Sequence, residues 1–235
     1  MFRILIANSK GGCGKTTITS TLAGHYARSG RQTCLIDCDP QGSSLAWCQQ
    51  RPAHRPPLRA LAGNESGHGL GAGWVLRLPA QTQVLLIDTP AGLRAHEFAP
   101  FARHADVLLV PLVPSALDLR ASLAFLDHVR RLPEVRRGEL RVGLIANRVR
   151  ERAMSTRDLD ATLQHLTQIA LARVRDAQIY VRNAALGLSL LEDDSSATRS
   201  HREDWAPLLA WLQQREAEHS SNGSKVTFLP ARQSG

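Results

Sequence analysis

Five short aliphatic runs punctuate the chain: Arg3–Ala7, Gln32–Asp37, Val84–Asp88, Val107–Val113 and Arg141–Ala146. Their apolar residues run on without alternating with polar ones, the pattern of strands covered on both faces. Between them lie stretches of helical character: Lys15–Arg28, Gly42–Gln50, His96–His104, Leu117–Leu132 and Ser155–Leu166. Strand and helix in regular alternation predict an α/β fold, a doubly wound, mostly parallel sheet with helices on both faces.

Two regions break this rhythm. Residues 51–83 are rich in Pro, Gly, His and Ala, and predict an irregular connection with one short strand near Leu58–Leu61 and room for a short helix. His54 and His68 lie there without a partner at metal-binding spacing, so both are expected at the surface. Near the end, Asp204–Glu218 predicts an amphipathic closing helix whose apolar stripe, Trp205, Leu208, Leu209 and Leu212, suits core packing. The Ser-Ser-Asn-Gly-Ser-Lys composition after it predicts a disordered tail over 219–235. A length of 235 residues fits one domain, expected over 1–218.

Composition narrows the class. Aromatic residues make up only 5%, so the core must be aliphatic. Twenty-nine basic residues against 21 acidic ones give a net charge of +8, and all but Lys10, Lys15 and Lys225 of the basic residues are arginine. Such an excess fits either a codon bias or a surface that meets polyanions. The four cysteines, Cys13, Cys34, Cys38 and Cys48, have no metal-finger spacing and read as small buried residues of a reducing cytoplasm. The chain opens directly on a strand, so no leader is expected, and no apolar run reaches the length of a membrane span.

The chemistry sits at strand ends. Gly11-Gly12-Cys13-Gly14-Lys15-Thr16-Thr17 follows the first strand and opens the first helix. Its glycines let backbone N–H groups turn inward around an anion, and the helix adds the positive end of its dipole. Strand, loop and helix in this order make a P-loop: Lys15 is expected on the β- and γ-phosphates, Thr16 on Mg²⁺ and Thr17 on the α-phosphate. The second strand ends in Asp37-Cys38-Asp39-Pro40-Gln41-Gly42, where an open α/β sheet places its ligands. The third ends in Asp88-Thr89-Pro90-Ala91-Gly92. Asp88 there is expected to bind Mg²⁺ through water, and Gly92 could let its loop respond to the terminal phosphate.

Lys10, placed just ahead of Gly11-Gly12, is an extra that a plain phosphate loop does not need. With it, residues 10–16 resemble the deviant Walker A motif of the ParA/MinD family of ATPases. That resemblance implies that Lys10 crosses a dimer interface to the partner's ATP, where a second cation would stabilise transferring charge. It implies that Asp39 orients or deprotonates the attacking water, while Asp37 supports the Mg²⁺ shell or the loop. It implies that Asn147, in Ile145-Ala146-Asn147-Arg148, reads the adenine edge, and that Pro111 and Pro114 shape the dimer face. The resemblance spans about residues 1–215. It is nearest to the small ParF-like partition ATPases, through Asp39–Trp47 and, more softly, through Ala177–Arg182 and Asp193–Ser196. There is no room for the helix-turn-helix domain of larger relatives.

The function so implied is a positioning ATPase of low basal rate. ATP and Mg²⁺ would join two subunits into a homodimer that binds DNA non-specifically. A ParB-like or other cargo adaptor would stimulate hydrolysis and release it, in the cytoplasm and on the nucleoid. Candidate DNA contacts are Arg148, Arg150, Arg152, Arg173, Arg175, Arg199 and Arg202. The alternative, a MinD-like membrane switch, needs a terminal amphipathic helix, and residues 222–235 offer no apolar face, so no membrane contact is expected. Metal-cluster carriers of the same fold need cysteine ligands further along, whereas every cysteine here precedes residue 49.

Overall fold

A computed structural model of the protein describes residues 1–63, 78–165 and 170–223. Seven strands form one sheet: β1 (Phe2–Ile6), β2 (Thr33–Asp37), β3 (Arg59–Ala62), β4 (Val84–Asp88), β5 (Val107–Leu112), β6 (Arg141–Val149) and β7 (Ala172–Arg175). Their order is β3-β2-β4-β1-β5-β6-β7, and every pairing is parallel. The helices are α1 (Lys15–Arg28), α2 (Ser43–Gln49), α3 (Ala95–Ala102), α4 (Ala116–Arg131), α5 (Pro133–Arg136), α6 (Met154–His165), α7 (Gln178–Ala185), α8 (Arg199–Glu203) and α9 (Ala206–Gly223).

The core divides into two layers, one on each face of the sheet. Leu5 of β1 and Ala7 just beyond its end face a layer built with Phe98 and Phe101 of α3, Leu126 and Val129 of α4 and Leu159 of α6. Ile4 and Ile6 face the other, with Ile18 and Leu22 of α1 and Trp205, Leu208 and Leu212 at the closing helix. The period-two switch along β1 is the pleat itself. Burial on both sides explains why the strand sequences do not alternate.

The expected strands and helices are all present, with shifted ends. α4 stops at Arg131 because Leu132, which precedes Pro133, adopts ψ 136°, the extended geometry that proline imposes on its predecessor. The closing helix extends past Glu218 to Gly223, so residues 219–223 of the expected disordered tail are helical. The remainder of that tail lies outside the described residues. The short strand expected near Leu58–Leu61 is β3, one residue further along. No helix forms in the described parts of 51–83, and residues 64–77, His68 among them, lie outside the described residues.

Four elements went unread in the sequence: β7, α7 and the short helices α5 and α8. β7 is only Ala-Arg-Val-Arg, with Ala172 and Val174 buried and Arg173 outward, an alternation too short to stand out. α7 buries only Asn183 fully and keeps Val181 and Leu186 at the surface, so it lacks a clear apolar stripe.

Candidate functional site

The C-terminal ends of β1, β2 and β4 lie side by side. Asp37 of β2 and Ile6 of β1 both align with Asp88 of β4, which brings two carboxylates together beside the loop that leaves β1. In that loop Gly12 and Gly14 take φ of 73° and 95°, left-handed values that side-chain-bearing residues avoid. Gly14 has a second reason to be glycine: a Cβ there would stand 2.1 Å from Nδ2 of Asn147.

Two flanking asparagines hold the loop. Asn8, fully buried, donates to the Pro111 carbonyl at 2.7 Å and to the Ser122 hydroxyl at 2.8 Å, while its Oδ1 accepts from the Lys10 amide at 3.2 Å. The sequence reading missed Asn8, although an amide ending an otherwise apolar strand was a usable signal. Asn147 donates to the Cys13 carbonyl at 2.7 Å. Its expected role at the adenine edge is thereby narrowed, since one amide hydrogen already braces the loop. Asn147 also lines a cavity of about 280 Å³ with Thr17, Arg175, Tyr180, Val181 and Ala184. Arg148, Asp176 and Ala177 complete the lining, so apolar surface and charged groups share its walls. Arg148 next to it takes φ 55°, where the β6–β7 register shifts.

The two loop lysines part company. Lys15 is buried, and its ammonium donates to the Lys10 carbonyl at 3.3 Å, inside the cradle. Lys10 points out of the cradle to Asp118 in the first turn of α4, 3.0 Å away. The four cysteines carry no disulfide, and burial raises the thiol pKa of each.

The carboxylates differ as well. Asp37 is spent on the backbone: Oδ1 accepts from the Asp39 amide at 3.0 Å and Oδ2 from the Leu45 amide at 2.9 Å. It braces the turn that carries Asp39, which is half-buried and accepts from the Gln41 amide. Asp88 is 1% exposed, yet neither of its oxygens has a hydrogen-bond partner. Burial, with Asp37 alongside, raises its pKa to about 7 against the opposing pull of Thr16, Ser44 and Lys15. An unpartnered buried carboxylate beside a threonine hydroxyl fits a divalent cation. Among the described residues no three His, Cys, Asp or Glu side chains form a metal-binding group. A cation here would therefore complete its shell with water and phosphate oxygens, as Mg²⁺ does. On the other side of the cradle, the Gly92 amide donates to the Ser9 carbonyl at 3.0 Å, tying the β4 loop to the phosphate loop.

Residues 4–197 match the model of the CobQ/CobB/MinD/ParA nucleotide binding domain. The chain belongs to this family. Among its relatives is the maintenance of carboxysome distribution protein A of Halothiobacillus neapolitanus, 27% identical over 81% of this chain and 87% of that one. The chromosome-partitioning ATPase Soj of Thermus thermophilus is 52% identical over a shorter stretch, 26% of this chain and 24% of its own. The fold is shared with a putative plasmid partition protein of Borrelia burgdorferi bound to AMPPNP, at TM-score 0.68 and 17% identity over 89% of this chain and 98% of that one. It is shared equally with the ATP complex of a variant McdA from Cyanothece, at TM-score 0.68 and 16% identity over 92% and 96%.

For a member of the ParA/MinD family the arginine candidates matter, and the structure sorts them. Four are paired with carboxylates: Arg150 with Asp176, Arg173 with Asp160, Arg175 with Asp204, and Arg202 with Asp194, which Arg28 also contacts. Arg148, Arg152 and Arg199 are exposed and enter no ion pair among the described residues. Residues 142–223 contain ten arginines against eleven carboxylates, so this third of the chain has no cationic excess of its own. Of the seven candidate arginines, three are thus without an ion pair among the described residues. Among the described residues no helix is long and apolar enough to cross a membrane. The tail on which a membrane alternative would depend, from residue 224 on, lies outside them.

Proposed function

We propose that this protein is a ParA-like positioning ATPase that closes into a dimer around two ATP molecules, binds DNA without sequence preference, and releases it on hydrolysis. The observation that carries this reading is the division between its two loop lysines. A monomeric phosphate site needs Lys15, which lies inside the cradle. Lys10 instead extends to Asp118 with its side chain 43% exposed, which supports a role toward a second subunit.

Lys15 and the loop amides hold the phosphate chain, and the cavity beside Asn147 takes the base. Mg²⁺, when bound, offsets charge on the phosphate oxygens. Thr16 and Asp88 would hold it, Asp88 largely through water. Asp39, on a turn fixed by Asp37, orients the attacking water. Lys10 of the facing subunit completes charge stabilisation, so turnover waits on dimer closure and on an adaptor that favours it. The named relatives serve carboxysome distribution and chromosome partition; the cargo here is of that kind, a DNA region or a protein assembly.

The test uses the Asp39→Ala protein, in which ATP should stay bound. At low salt with Mg-ATP it should retain nonspecific duplex DNA, release it with ADP, and lose it steeply as salt rises. Equal DNA retention with ATP and ADP would refute the reading.

A further inference from the structure

Ser44 is a second unpartnered group at the carboxylate cluster. It lies in α2, is fully buried, and its hydroxyl has no hydrogen-bond partner. A buried hydroxyl left unpaired costs stability, whereas alanine would fit the same space without that cost. Its position is imposed by its neighbours. The Asp37 carboxylate accepts the Leu45 amide at 2.9 Å, and Gly42 at φ 62° turns the chain into the helix. Ser44 is thereby held facing Asp88, where its hydroxyl and that of Thr16 exert a hydrogen-bonding pull on the carboxylate without reaching full hydrogen-bond geometry. Asp88 is thus met by Thr16 from α1, Ser44 from α2, Lys15 from the loop and Asp37 from the adjoining strand.

We propose that Ser44 is a positioning residue of the Mg-nucleotide site, its hydroxyl ordering a water of the cation shell against Asp88. The hydroxyl can donate to a carboxylate oxygen and accept from a cation-bound water at once. Partners of this kind orient the groups that hold a metal, and their loss weakens metal affinity by about 10- to 100-fold. The inference rests on the Mg-ATP reading above and adds a role for α2. Because the same short segment carries Asp39 and Ser44 on either side of Gly42, the cation and the attacking water are set by one turn.

The experiment measures fluorescent ATP binding to the full chain as a function of Mg²⁺, and again with Mg²⁺ removed by EDTA. The variants are Ser44→Ala and the nearly volume-matched Ser44→Cys, and each melting temperature is recorded. Expected are a 10- to 100-fold weaker Mg²⁺ dependence in both variants, with binding in EDTA unchanged within about twofold and an unchanged or higher melting temperature. Wild-type Mg²⁺ dependence in Ser44→Ala would overturn the proposal while leaving the ATPase reading intact. Equal losses with and without Mg²⁺ would also overturn it, marking Ser44 as structural. Absence of any Mg²⁺ effect in the wild-type protein would overturn both the proposal and the reading beneath it.

Discussion

Lys10 and Asp118 are joined by an ion pair of 3.0 Å that spans from the phosphate loop to the first turn of α4. Within one subunit this contact holds the Lys10 ammonium on α4, so on the dimer reading proposed above closure would exchange one carboxylate partner for a phosphate. With side chains 43% and 27% exposed, the pair contributes at most about 1 kcal/mol. Asp118→Asn should therefore tighten ATP-dependent self-association by up to about fivefold, read by sedimentation across a concentration series. Weaker association would show that Asp118 acts in the dimer rather than against it.

Asn147 links β6 to the phosphate loop through the Cys13 carbonyl. Asn147→Ala leaves that buried carbonyl unpaired and should cost about 1–3 kcal/mol, seen as a lower urea midpoint. ATP affinity should fall with it. Gly14→Ala should be worse in both respects, because the new Cβ meets Asn147 in a backbone conformation of φ 95°. A variant with wild-type stability and ATP affinity would remove Asn147 from the loop's support.

Asp88 predicts a stability gain coupled to a functional loss. Its pKa rises from 3.8 to about 7, so the folded protein disfavours the carboxylate. The resulting penalty is absent below the unfolded value, grows as pH rises, and is complete above about 7. Asp88→Asn should therefore stabilise the nucleotide-free protein at pH about 8 by roughly 1–3 kcal/mol, with the difference vanishing toward pH about 4. The same variant should lose Mg²⁺-dependent ATP tightening. Calorimetric melting across pH, without and with Mg-ATP, checks both halves.

The arginines divide by whether a carboxylate already occupies them. Replacing Arg148, Arg152 and Arg199 together by alanine should weaken DNA retention by the ATP-locked dimer and reduce its salt slope by up to about three per subunit. Arg173→Ala, which breaks a pair with Asp160, should change DNA binding far less. The reverse ranking would place the DNA surface elsewhere.

The strand ends were readable because phosphate chemistry demands particular residues at particular places. Gly12, Gly14, Lys15 and Asp88 are where the spacing put them. The pairing of the arginines was not legible because sequence shows charges but not partners: Asp160, Asp176, Asp194 and Asp204 are scattered along the chain and meet their arginines only in the fold. Asn8 and Ser44 were passed over for a related reason. Each is one polar residue among many, and only burial without a partner, or with partners more than a hundred positions away, marks it out. β7 and α7 escaped because an edge strand of four residues and a helix with a single fully buried residue leave little periodicity to read.

On the proposed function, ATP turns this chain into a dimer through Lys10. The most direct measurement is the solution mass of the Asp39→Ala protein with Mg-ATP and with Mg-ADP, alone and combined with Lys10→Ala, by light scattering on a sizing column. Expected are twice the chain mass with ATP, one chain with ADP, and one chain in the double variant even with ATP bound. A monomer in saturating ATP, or a dimer indifferent to both nucleotide and Lys10, would contradict it.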